Sequence, residues 1–231
     1  MAALMPAVLA IVATVGAYLL AQRLAALARH HPVANPVAIA ALLVLALLFA
    51  LRLPVESYMT SAQPLRWLLA PATVAFALPI YRQRAAIVRA GPALLAALVV
   101  GSTVGIVSAV ATARLLGLSA ATTKALSTKS VTSPFAIALM ERLGGPADLA
   151  AGLVIVTGLV GVALLPLVLR RQRDRDPDGY ALALGMAAHI VGNQHVAQAA
   201  PQSLSMASLA LTLAGLFTTL ILPLLWPWIA G

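Results

Sequence analysis

Cysteine is absent from the 231 residues, which excludes a disulfide framework, a thiolate metal site and a C-x-x-C redox motif. Charge is scarce as well, at 9% of the chain against about 25% in ordinary soluble domains. Only six residues are acidic, and Glu56, Glu141, Asp148, Asp174, Asp176 and Asp178 all stand in loops or at the ends of apolar runs. No carboxylate is therefore placed to carry sodium or a proton at mid-membrane in the common way. No Walker loop, dinucleotide fingerprint, metal-ligand cluster or nucleophile–base unit is present, so nothing points to an enzyme, a metal or a cofactor.

What remains is apolar: 62% of residues are hydrophobic. Several runs approach the roughly 20 residues that cross about 30 Å of hydrocarbon, and no β-barrel alternation is seen. The composition predicts an all-α integral membrane protein. The net charge of +9 comes from basic residues dispersed at the ends of runs, a topology signal rather than a nucleic-acid patch. Tyr58, Trp67, Trp226 and Trp228 fit an interfacial belt, and His30 and His31, beside Arg29, fit interfacial anchors.

Reading runs against breakers predicts about seven spans, near 3–22, 35–53, 64–81, 91–115, 146–169, 180–199 and 204–229. The first is read as a retained helix rather than a signal peptide, because no basic residue precedes it and no cleavage site follows. Arg23 and Arg29, then Arg82, Arg84 and Arg89, then Arg170, Arg171, Arg173 and Arg175 form three basic loops that all favour the cytoplasm. They share one side only if residues 117–145 make no net crossing. That segment is expected to be re-entrant or broken, and such backbone at membrane depth lines protein or a pathway. A shift of about 113 positions lays 35–53 over 148–166 and 91–115 over 204–228, predicting inverted halves of about 1–115 and 116–231 in one polytopic domain, 1–231. Under that shift "APATVAFALP" from Ala70 meets "LALGMAAHIV" from Leu182.

The polar stretch "STKSVTSPFAIALMERLGG" from Ser127 supplies chemistry. Ser130, Thr132 or Ser133 can cap a helix whose first turn takes Pro134 and whose end takes Gly144 and Gly145. The half-helix then points its positive end, with Lys129 beside it, at an anion such as a carboxylate. His189, between Gly185 and Gly192 where a helix could break, fits a second ligand or proton carrier. Asn193 can add a hydrogen bond, and Pro71 marks a corresponding break in the first half. Gly101 with Gly105, and Gly152, Gly158 and Gly161, fit close helix packing.

These same blocks carry a likeness. "TKSVTSPFAIALMERLGG", with "NPVAIAALLV" from Asn35, "YMTSAQPLRWLLAPATVAFALPIYRQ" from Tyr58 and "ALGMAAHIVGNQHVAQ" from Ala183, resembles the LrgB/CidB family. Thr128 stands where that family usually has proline, and "GNQH" where it has Gly-Thr-Ala-Arg, so His195 takes the place of an arginine. The resemblance implies either of two roles. One is a carrier of small monocarboxylates of the pyruvate, lactate and glycolate class, as for the plastid glycolate/glycerate relatives. The other is an antiholin-like regulator of murein hydrolase export and autolysis, acting with a small holin-like LrgA/CidA partner. It implies a multi-pass protein of the bacterial inner membrane, bound by lipid and with self-association left open.

Overall fold

In a computed structural model, residues 4–28, 36–75, 77–82 and 84–229 are described. Among them the chain is all-helical. The histidine pair at 30 and 31 lies outside the described residues. Two compact units divide the chain, Met1–Ala72 and Thr73–Gly231. They do not coincide with the halves expected from the 113-residue shift, and the inverted repeat is not established.

The first unit begins with α1 (Leu4–Leu27) and α2 (Pro36–Ala50), which pack together. Arg52, at φ 54°, and Pro54 then turn the chain, so that α3 (Val55–Ser61) leaves at 118° to α2. Thr14 Oγ1 and Tyr58 OH share a hydrogen bond of 2.7 Å that ties α1 to α3. The run at 64–81, expected as one span, is interrupted at Leu68, between α4 (Gln63–Trp67) and α5 (Leu69–Ala75), with α6 (Ala77–Arg82) beyond. Pro64 and Pro71 lie within the first turns of α4 and α5, where a missing N–H costs least.

The second unit is built on three long apolar helices. α7 (Arg84–Leu115) bends at Gly91, which takes φ 40°, ψ −125° just before Pro92. After α8 (Ala120–Leu126) and α9 (Ser133–Leu143) comes the straight α10 (Ala147–Val168). The short α11 (Arg170–Arg175), α12 (Pro177–Ala199) and a 3-10 turn at Pro201–Ser203 lead into α13 (Leu204–Ile229). The stretch 70–79, expected to face 182–191, runs through α5 and α6, and α6 packs on α7 and α13.

Among the described residues, four helices are long and apolar enough to cross a membrane: Pro6–Leu27, Gly91–Leu115, Ala147–Val168 and Pro201–Ile229. The bent α2–α3 pair brings the count to at most five, short of the seven expected. Large apolar side chains cover the outer surface, among them Val100, Val104, Leu164, Leu167, Leu220 and Leu224. In water such a surface would be a large exposed apolar patch; in a bilayer it is the solvent-facing side. This is a multi-pass membrane protein.

α12 accounts for part of the difference in span count. It is one continuous helix by hydrogen bonding, yet His189 sits at φ 46°, ψ −128° inside it. Tyr180 OH meets His195 Nε2 at 2.9 Å, although residues 15 apart in a straight helix are separated by about 22 Å. A Cβ on Gly192 would strike the Leu184 carbonyl, and one on Gly185 the Ala207 carbonyl. α12 is therefore a helical hairpin with His189 at its tip. The break falls on His189, between Gly185 and Gly192; the two glycines lie in the arms, where the absent side chain allows close approach. Gly185→Ala is expected to cost about 1–3 kcal/mol by overpacking, read as a lower apparent Tm of the detergent-solubilised protein; an unchanged Tm would mean the α12–α13 contact is looser than described.

Candidate functional site

The segment expected to be re-entrant is also a hairpin. Ser119 caps α8 by accepting the Thr122 N–H at 3.2 Å, and the chain turns through 127–132. Short backbone bonds, Thr128 N–H to Ala125 O at 3.2 Å, Lys129 N–H to Leu126 O at 3.1 Å and Val131 N–H to Thr128 O at 3.2 Å, pair the turn internally. Thr128 Oγ1 donates to the Ala125 carbonyl at 2.9 Å and is wholly buried. α9 then runs back. Pro134 occupies its first turn, Gly144 ends it in the left-handed region at φ 62°, and Gly145 N–H closes on the Met140 carbonyl at 2.8 Å.

Thr132 is the N-cap residue of α9, as one of the sequence alternatives had it, but its side chain makes no capping bond. Its Oγ1 is buried with no partner, an exception in a protein interior that marks either a bound water or a site for a ligand. Ser130 and Ser133 are half-buried beside it.

Lys124 was not legible as part of this unit. Its ammonium donates to the Leu143 carbonyl at 2.9 Å and lies 5.4 Å from the Trp226 ring centre. It fastens the exit of the hairpin to its entry, and no local spacing announces a partner 19 residues away. Lys124→Met, which keeps the aliphatic stem, is expected to destabilise the protein by about 1–3 kcal/mol, measured as thermal unfolding in detergent; an unaltered Tm would show that the hairpin closes without it.

The long helices fix the depth of both tips. Ser130 Oγ lies 3.6 Å from where a Cβ on Gly105 would stand, and Met186 Cε lies against Gly101; these glycines flank the middle of Gly91–Leu115. Phe135, at the start of α9, packs on Gly215 at the middle of α13. Ala188 and Val191, beside the second tip, pack on Gly161 and Gly158 near the middle of α10. Gly152 has no such neighbour, so its expected packing role is corrected.

The hairpins enter from opposite ends. The α8–α9 hairpin shares a core with the start of α10 and the end of α13, through Ala150, Val154, Leu222 and Trp226. The α12 hairpin shares one with the end of α10 and the start of α13, through Val162, Tyr180, Leu184 and Ala207. Where the tips meet, His189 Nε2 lies 2.8 Å from the Lys129 carbonyl oxygen. A carbonyl only accepts, so Nε2 carries the proton. His189 is 1% exposed.

Because the α8–α9 hairpin returns to the end it entered, Arg89, just before Gly91, and the arginines of α11 share one end of the second unit. Arg173 at that end pairs with Asp174 at 2.9 Å.

Of the sequence-derived site residues, Lys129, Ser130, Thr132, Ser133 and His189 converge at the tips. Lys129 is half-buried. Its ammonium donates to Ser130 Oγ at 3.1 Å and meets no carboxylate among the described residues. Asn193, one turn beyond His189, donates to Ser208 Oγ at 3.1 Å and keeps a buried, unpartnered Oδ1. Pro71 belongs to the first unit, the tip residues to the second. Ser102, on α7 next to Gly101, keeps an Oγ buried without a partner.

Both hairpins lie inside the stretch that a family model described as "LrgB-like family" matches, residues 14–228. The chain belongs to the LrgB-like family. This LrgB-like chain is 31% identical over 220 residues to "Uncharacterized protein YxaC" of Bacillus subtilis (strain 168), covering 94% of each. It is 31% identical over 174 residues to "Antiholin-like protein LrgB" of Bacillus mycoides (strain KBAB4), covering 75% of this chain and 76% of the relative. The protein of the same name from Bacillus cereus (strain B4264) is 30% identical over the same share. No solved structure matches the LrgB-like chain.

Proposed function

We propose that this LrgB-like protein is a carrier of small monocarboxylates of the pyruvate, lactate and glycolate class, working by alternating access in the bacterial inner membrane. The observation that carries the reading is the ammonium of Lys129, set at mid-depth between two hairpin tips with a hydroxyl but no carboxylate for company. A half-buried cation without a counter-ion is costly in hydrocarbon. An anionic cargo removes that cost while it is bound. The unpartnered hydroxyl of Thr132 at the start of α9 adds a second favourable contact for an anion. His189, holding the opposite tip to the Lys129 carbonyl, ties the site to the element that must move. The positive-inside rule places the basic end in the cytoplasm.

The printed names of two relatives favour a second reading more directly than the first: an antiholin-like component, acting with a small holin-like LrgA/CidA membrane partner on murein hydrolase export. The two readings separate in cells lacking such a partner. Uptake of labelled pyruvate, lactate or glycolate on expression of this chain alone is the expected result. Uptake only with the partner, or none while autolysis still responds to the chain, would favour the second reading.

A further inference from the structure

One groove leads from the first hairpin tip to the surface. It has a volume of about 220 Å3 and is lined by Ser108, Thr112 and Leu116 on one side and Leu118, Leu126 and Lys129 on the other. Residues 108, 112 and 116 are spaced at one face of α7 and its continuation. Ser108 and Lys129 mark the inner end, one turn beyond Gly105 near the middle of the span, and Leu116, just past the end of α7, marks the outer one. Eight residues of helix rise about 12 Å, most of the outer half of a 30 Å hydrocarbon layer. The groove therefore runs from near mid-depth to the end opposite α11, the end that carries Arg114. On the inner side, the buried α12 tip stands against Lys129.

We infer that this groove is the access route and outer subsite for the carried acid, and that the conformation described is open toward the face that carries Arg114 and closed toward the arginine-rich face of α11. The inference rests on the carrier reading and goes further by naming the route, the face and the class of acid. Lys129 at the floor takes one carboxylate. Ser108, whose hydroxyl donates to the Gly105 carbonyl at 3.4 Å, and Thr112 are the hydroxyl residues of the walls, and a turn about χ1 brings either oxygen to a 2-oxo or 2-hydroxy group. The walls are otherwise aliphatic, so a second carboxylate would lose its water with no partner in return. The groove selects short monocarboxylates over dicarboxylates.

A chain without cysteine allows a direct test. Ser108→Cys and Thr112→Cys each introduce a single thiol, and Val107→Cys places one at the same depth on a 45% exposed side of α7 turned away from the groove. A charged, membrane-impermeant methanethiosulfonate is added to intact cells from the outside. The expected result is that both groove thiols react and Val107→Cys does not. Saturating pyruvate or lactate slows the reaction several-fold, and succinate leaves it unchanged. Reaction only with a membrane-permeant reagent, the mark of a lipid-filled groove, would overturn the proposal, as would labelling indifferent to monocarboxylates. Wild-type uptake, measured in parallel, keeps the two claims apart. Uptake with unprotected thiols rejects this route and leaves the carrier standing; protected thiols without uptake reject the carrier and leave a binding site.

Discussion

Lys129→Ala lowers saturable uptake of pyruvate, lactate or glycolate into proteoliposomes by about 100-fold or more. The size follows from the partner being removed: deleting one member of a desolvated charge pair costs about 2–5 kcal/mol, and about 2.7 kcal/mol corresponds to 100-fold. The loss should fall on transport and not on folding. Among the described residues the ammonium has only Ser130 Oγ for a partner, so its removal takes away a poorly compensated charge, and the apparent Tm is expected to stay level or rise. Lys129→Arg keeps the charge with a bulkier, planar head and restores part of the activity. Undiminished uptake in Lys129→Ala would show that the anion passes elsewhere.

His189→Gly separates folding from function at the other tip. Gly91 and His189 take almost the same backbone conformation, φ 40°, ψ −125° and φ 46°, ψ −128°. Glycine adopts it freely, whereas a histidine there carries strain of about 1–3 kcal/mol. Replacement by glycine releases that strain and forfeits the bond from Nε2 to the Lys129 carbonyl, worth about 1 kcal/mol. The two together leave stability level or raised by up to about 2 kcal/mol, while uptake falls at least tenfold because the tips are no longer tied. His189→Ala keeps most of the strain, loses the same bond and should be the less stable of the two. Normal uptake by His189→Gly would show that the strained tip has no part in transport.

How much of this was legible in the sequence depends on whether a feature is local. The membrane class, the helix Ser133–Leu143 with Pro134 at its start and Gly144 at its end, and the interest of Lys129 and His189 all follow from neighbouring residues. The no-net-crossing argument for 117–145 was also readable, because basic clusters count topology without needing contacts. What failed is tertiary. That the break in α12 rests on His189 itself, with Gly185 and Gly192 in the arms, was not readable, since glycine preference describes cost and the contacts of a buried tip decide where cost is borne. The run at 64–81 looked like one span because its hydrophobicity is continuous across Leu68, although the helix is not. Lys124 and the Ser108–Thr112 face carried no signal beyond single polar residues in apolar runs. Their meaning comes from a carbonyl across the hairpin and from a groove shared with Lys129.

Counterflow in proteoliposomes tests the central claim most directly, because it requires a site that faces the two sides in turn and needs no knowledge of the coupling ion. Vesicles holding the purified chain alone are loaded with unlabelled pyruvate and diluted into a trace of labelled pyruvate. A transient accumulation of label above equilibrium, absent in Lys129→Ala, is the result expected of a carrier built on the two hairpin tips. Label that never exceeds equilibrium, with pyruvate, lactate and glycolate alike, would contradict it.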